Sequence, residues 1–199
     1  YATDGIGVYG ESNTSAGLQG YSTSGSAVNA TGTGIITSSA NSYVWISGNS
    51  AIKWNSDDTT DIDHNGTGAS VIYRGTTAGD KYIIVPITIS GPIYGQNVTI
   101  TGVDIYWQGQ TEFTTLSQVR VRRQTGPLDT DYVDILWAPG PYVCDAGNNP
   151  EGCTQSWSPT SNNILTADSG ILYMVFTLNF AGTTDWMRFA GVRLTLAHD

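Results

Sequence analysis

From residue 71 onward, apolar residues fall in short runs, some continuous and some at every second position, separated by Gly, Pro, Asn, Asp and Ser. A period of two places alternate side chains on opposite faces of an extended chain, and so predicts half-buried β-strands. The runs are Val71–Tyr73, Tyr82–Ile89, Val98 to Trp107, Leu116 to Val121, Tyr132 to Trp137, Ile171–Phe180 and Phe189 to Leu196. In the third, Val98 and Ile100 keep one phase while Val103, Ile105 and Trp107 keep the other, which predicts a β-bulge at Thr101-Gly102. Pro86 lacks a ladder donor and marks an edge or a bulge. No stretch carries a helical period. About seven or eight strands with turn residues between them predict an all-β head over 71–199, an antiparallel, jelly-roll-like β-sandwich.

Residues 37–70 read as a neck. Tyr43-Val44-Trp45-Ile46 and Ala51-Ile52-Lys53-Trp54 flank the turn signal Ser47-Gly48-Asn49-Ser50, the pattern of a hairpin. Residues 138–163 escape the strand pattern. They hold Pro139, Pro141, Tyr142, two cysteines, Trp157 and Pro159, and a connection that long is usually functional or disordered.

Residues 1–36 follow another rule. Gly7-Val8-Tyr9-Gly10-Glu11-Ser12 recurs ten residues later as Gly17-Leu18-Gln19-Gly20-Tyr21-Ser22, then as Ala27-Val28-Asn29-Ala30-Thr31-Gly32, with a shortened copy at Gly34-Ile35. Each unit offers one aliphatic residue: Val8, Leu18, Val28 or Ile35. One such residue cannot offset about 1–2 kcal/mol of backbone entropy per residue in a lone chain. The tract is therefore either a flexible Gly/Ser linker or a repeat whose core is shared between chains. The regular apolar position favours sharing. The run resembles the short-repeat stalks of trimeric fibre proteins, found in phage tail fibres and bacterial surface fibres. The resemblance covers about residues 5–36. It implies a homotrimeric β-prism or β-helix stalk followed by a β head, with Val8, Leu18, Val28 and Ile35 at the oligomer interface. Trp45 and Trp54 would then plug the axis at the neck. The chain opens at Tyr1 inside a repeat, as expected of a C-terminal piece of something longer.

Charge narrows the partners. Eight Lys+Arg stand against 17 Asp+Glu, a net charge of −9, which argues against nucleic acid and against an anionic membrane surface. The longest apolar run, from Ile171 to about Phe180, suits a strand and is too short to cross a bilayer. Cys144 and Cys153 enclose a Pro/Gly/Asn-rich turn without a Cys-x-x-Cys spacing or a nearby His, so a local disulfide is expected. A disulfide implies an oxidising, extracellular or cell-surface location. Sequons begin at Asn13, Asn29, Asn65 and Asn97.

Candidate chemistry is sparse. Asp61-x-Asp63-x-Asn65-Gly66 has the spacing of the first half of a calcium loop, but Ile72 stands where the bidentate Glu belongs. The alternatives are a weak Ca²⁺ site and a solvated acidic turn. No nucleophile elbow, zinc motif or phosphate loop is present, and Glu112, Asp129, Asp131 and Asp134 are candidate carboxylates by count only. The expectation is a non-enzyme without cofactor. Arg120, Arg122 and Arg123 form a basic cluster, read either as pairing with Asp104 or Asp134 or as a site for an anionic saccharide. In the 138–163 stretch, Tyr142 and Trp157 stand among Asp145, Asn148, Asn149 and Gln155. Aromatic faces that stack on sugar rings, with amides and carboxylates for the hydroxyls, make this the expected glycan site; the alternative is that both rings pack the stretch against the sandwich. The sequence thus predicts an extracellular structural or adhesive fibre protein whose head contacts glycans or another surface. The alternative is a pilus-like filament subunit that donates its N-terminal strand to a neighbour.

Overall fold

A computed structural model describes residues 40–55, 59–76, 79–89, 97–166 and 169–198. The stalk repeats, with Val8, Leu18, Val28, Ile35, Asn13 and Asn29, lie outside the described residues.

The strands, in chain order, are β1 (Ser42–Ser47), β2 (Ile52–Lys53), β3 (Asp61–His64), β4 (Ser70–Tyr73), β5 (Lys81–Ile87), β6 (Val98–Gly109), β7 (Thr115–Gln124), β8 (Tyr132–Tyr142), β9 (Cys153–Trp157), β10 (Ile164–Leu165), β11 (Ile171–Asn179) and β12 (Trp186–His198). They form two antiparallel sheets. The seven-stranded sheet runs β10-β6-β12-β4-β3, with β1 also on β12 and β9 also on β6. The five-stranded sheet runs β2-β5-β11-β7-β8.

Alternation decides what lies between them. Ile72, Ile105, Trp107, Met187 and Phe189 of the larger sheet meet Ile83, Leu116, Phe176 and Leu178 of the smaller one. Phe176 and Phe189 pack ring on ring across the layers at 5.2 Å. This is the expected β-sandwich. The bulge expected at Thr101-Gly102 is present: Thr195 pairs with Gly102 and Leu196 with Ile100, leaving Thr101 as the extra residue. Around Pro86, β5 is laddered to β11 on one side, while β2 reaches only Ile83 and Ile84 on the other. The missing N–H therefore costs no ladder bond.

Two expectations need correction. The segment read as a neck and hairpin belongs to the sandwich. β1 pairs with β12 from Ser42↔Leu196 to Ser47↔Gly191, whereas β2 joins the other sheet. The reason is period two: Val44 and Ile46 face the core while Tyr43 and Trp45 face out. The apparent long loop at 138–163 contains the end of one strand and the whole of another. β8 continues through Pro139 and Pro141 to Tyr142, and β9 pairs with β6 from Val103↔Trp157 to Trp107↔Cys153. Prolines in β8, an edge strand paired only with β7 among the described residues, disguise its register.

Candidate functional site

The outer face of the larger sheet carries residues that the core pattern leaves over. On β6 these are Asp104, Tyr106 and Gln108, between the inward Val103, Ile105 and Trp107. On β1 they are Tyr43 and Trp45, exposed by 56% and 63%. Tyr106 faces Gly191 of β12 across the ladder. With no side chain at 191, the Tyr106 ring reaches over β12 and stacks on Trp45, centroids 5.5 Å apart and planes 25° apart. Position 191 requires glycine: its φ is 144°, and a Cβ there would lie 2.3 Å from the carbonyl oxygen of Ile46.

Polar groups frame the rings. Arg193 stands over Tyr43 and Trp45, its carbon Cζ 5.6 and 5.4 Å from the two centroids. Its Nε and Nη2 donate to Asp104 Oδ2 at 2.8 and 2.6 Å, while Ser156 Oγ donates to Asp104 Oδ1 at 2.5 Å. The hydrogen bonds to Asp104 raise the Arg193 pKa above its ordinary range. Beside the rings a groove of about 620 Å³ opens. Trp45, Tyr106 and Arg188 line it; Pro150 to Thr154 form one wall, and Ser47, Thr67 and Gly68 also border it. The Cys144–Cys153 bond closes the segment bearing that wall.

The surface is amphipathic: aromatic faces beside a guanidinium and hydroxyl groups, in a concavity. Such a surface can stack on the C–H face of a sugar ring while donating to its hydroxyls.

The residues expected to form the glycan site are arranged otherwise. Tyr142 and Trp157 meet edge to face at 5.3 Å and pack against the core, and the Tyr142 hydroxyl donates to the Pro139 carbonyl. Asp145 accepts from the side-chain amide and the backbone N–H of Asn148, which hold its carboxyl below the usual carboxylate range. Asn149 gives its carbonyl to Gln108, and Gln155 sits on β9 opposite Ile105. The packing alternative describes Tyr142 and Trp157. What the turn contributes to the groove is its far end, from Pro150.

The remaining candidates are placed as follows. Arg120 and Arg122 share Asp134, at 3.9 and 3.0 Å, and lie over the rings of Trp137 and Tyr132 on the outer face of the smaller sheet. Arg123 donates to the Ile164 carbonyl and to Ser169. The pairing alternative thus holds for Asp134, while Asp104 serves Arg193. Asp131 holds the Leu128 amide, and Glu112 borders a separate recess with Phe113. Asp61 and Asp63 lie on strand β3 and not in a wrapped loop, and Asn65 Oδ1 accepts from Thr67. No cluster of three or more His, Cys, Asp or Glu suited to a metal occurs among the described residues. Asn97 is exposed; Asn65 is half-buried. Trp54 is half-exposed beside β2.

No protein-family model matches the chain, and no curated protein matches it. Among solved structures it is similar to a family 29 carbohydrate binding module at 10% identity and a TM-score of 0.42, covering 78% of this chain and 89% of that one. A family 29 module from Piromyces equi scores 0.39 at 9% identity, over 78% and 91% of the two chains. A two-module piece of Clostridium thermocellum endo-1,4-beta-D-xylanase 10B, complexed with xylohexaose, scores 0.42 at 10% identity, over 81% of this chain and 28% of that one. Likeness this remote carries no ligand and no residue role to this chain.

The groove residues were hidden by the attention that core patterns draw. Tyr106 and Asp104 sit between three strong core positions, and Tyr43 and Trp45 sit inside an apolar run. Strict alternation within Tyr43-Val44-Trp45-Ile46 is the signal that could have turned both aromatics outward.

Proposed function

We propose that the sandwich is a non-catalytic, extracellular carbohydrate-binding head that holds its ligand in the Trp45–Tyr106 groove. One observation carries the reading: a large aromatic ring stays mostly exposed, yet is fixed by a stacked partner at the mouth of a concavity. Exposed tryptophan is costly to leave in water, and a stacked, immobilised one lowers the entropy lost when a sugar ring docks on it. Asp104, Arg193 and Ser156 fix one another beside the rings and give the platform a rigid polar border. The disulfide supports the extracellular assignment. In the same proposal the repeats of residues 1–36 form the shared stalk of a trimeric fibre, through Val8, Leu18, Val28 and Ile35.

The test is a glycan array followed by titration calorimetry on the best binder. Trp45→Ala should weaken binding at least tenfold, since ring–sugar stacking of about 1.5 kcal/mol or more is removed. Trp137→Ala, a change to an equally exposed ring on the other sheet, should leave affinity intact. Loss of binding with Trp137→Ala and not with Trp45→Ala overturns the assignment.

A further inference from the structure

We infer that the ligand of this groove is an anionic saccharide, with a carboxylate or sulfate on its ring bound by Arg188. The inference rests on the carbohydrate reading above and names the ligand class for that same groove.

Arg188 differs from the arginines around it. Arg193 is taken up by Asp104, and Arg120 and Arg122 by Asp134. Arg188 makes no ion pair among the described residues. Its Nη1 donates to the neutral Gln108 Oε1 at 3.0 Å, and its guanidinium lies 5.1 Å from the centre of the Trp186 ring. It is exposed and lines the groove.

Its position is built from beneath. Gln108 is buried, and its Nε2 donates to the carbonyls of Asn149 at 2.6 Å and Pro150 at 3.0 Å. Both donor hydrogens are thereby committed, so the amide cannot flip and Oε1 must face Arg188. The two carbonyls belong to the segment closed by the Cys144–Cys153 bond. A covalent closure thus fixes two carbonyls, the carbonyls fix an amide, and the amide fixes a guanidinium. One of its five N–H donors is used by Gln108, and the fork that remains matches the paired oxygens of a carboxylate or sulfate.

A neutral ligand would meet a cost here. Covering a guanidinium whose charge no carboxylate meets among the described residues removes hydration that hydroxyl groups only partly replace, whereas an anion returns both charge and acceptors. Glu151 lines the same groove, and its carboxylate opposes an anion there, a repulsion that the Arg188 fork has to outweigh.

Calorimetry on the full chain with three probes separates the outcomes: hexagalacturonate, which carries carboxylates only, a κ-carrageenan hexasaccharide, which carries sulfates only, and cellohexaose. At least one anionic probe should bind about tenfold or more tightly than cellohexaose. Which of the two does so distinguishes carboxylate from sulfate. Arg188→Gln should erase that preference without lowering the melting temperature, and Arg188→Lys should restore part of it. Glu151→Gln should tighten the anionic probe. Equal or tighter binding of cellohexaose, a preference that survives Arg188→Gln, or no binding of either anionic probe at millimolar concentration overturns the inference. In the first of these cases the carbohydrate reading stands. If Trp45→Ala leaves binding of the anionic probe intact, the groove itself is wrong and the inference falls with it.

Discussion

Reducing the Cys144–Cys153 bond should lower the melting temperature by about 5–10 °C and loosen one wall of the groove. The two cysteines are separated by nine positions. Closing a loop of that length removes unfolded-chain entropy equivalent to about 2.6 kcal/mol at 25 °C. A domain of this size shifts by about 2–4 °C per kcal/mol, which gives the stated range. Reduction deletes no heavy atom, so no cavity term enters, although Cys144 is fully buried. Both ends of the segment also keep their backbone bonds: Gly109 donates to the Cys144 carbonyl at 2.6 Å, Ala146 donates to Gly109 at 2.9 Å, and Cys153 stays paired with Trp107. The native fold should therefore survive reduction, and the effect should fall mainly on the unfolded state. Thermal unfolding followed by circular dichroism, with and without a phosphine reductant, measures it; mass spectrometry confirms the free thiols. A shift below about 1 °C with both thiols free would refute the entropy argument, since a loop already ordered by hydrogen bonds in the unfolded chain gains nothing from the bond.

Trp157→Ala should cost about 2–4 kcal/mol of stability by denaturant unfolding, because the ring packs on the core and against Tyr142, while carbohydrate affinity of the folded protein changes by less than about twofold. Lost binding at unchanged stability would return the site to the disulfide turn. The full chain should sediment as a homotrimer at equilibrium, and a strict monomer would remove the shared-core reading of residues 1–36.

The legible part of the fold was the part governed by alternation. Phase in a strand is a local property, so the reversal between Ile100 and Val103 located a bulge before any partner strand was known. Which strands pair is set by long-range packing, and here the sequence misled. Ser47-Gly48-Asn49-Ser50 carries turn chemistry, yet it sends the chain from one sheet to the other and does not close a hairpin. The aromatic content near the disulfide was visible, but the packing of half-buried Trp157 against the core was not, because β9 is recognised as a strand only once β6 is beside it. The groove was least legible of all. It joins β1, β6, the start of β9 and β12, whose lining residues stand up to 146 positions apart in the chain, between Trp45 and Gly191. Nothing local marks Gly191 as the gap that lets Tyr106 reach Trp45. Conversely, the arginines at 120–123 cluster in sequence, whereas the groove guanidinium that has no ion pair among the described residues belongs to Arg188, isolated in sequence.

The most direct test of the central claim is to map the bound ligand by amide chemical shifts. A ¹⁵N-labelled chain should be titrated with the tightest oligosaccharide from the array. The amides that move should belong to Tyr43 to Ser47, Asp104 to Gln108, Glu151 to Thr154, and Arg188 to Arg193. Those around Arg120, Arg122, Tyr132 and Trp137 on the opposite sheet should stay still. Shifts centred on the opposite sheet, or on Phe113 and Val143 at the separate recess, would contradict it.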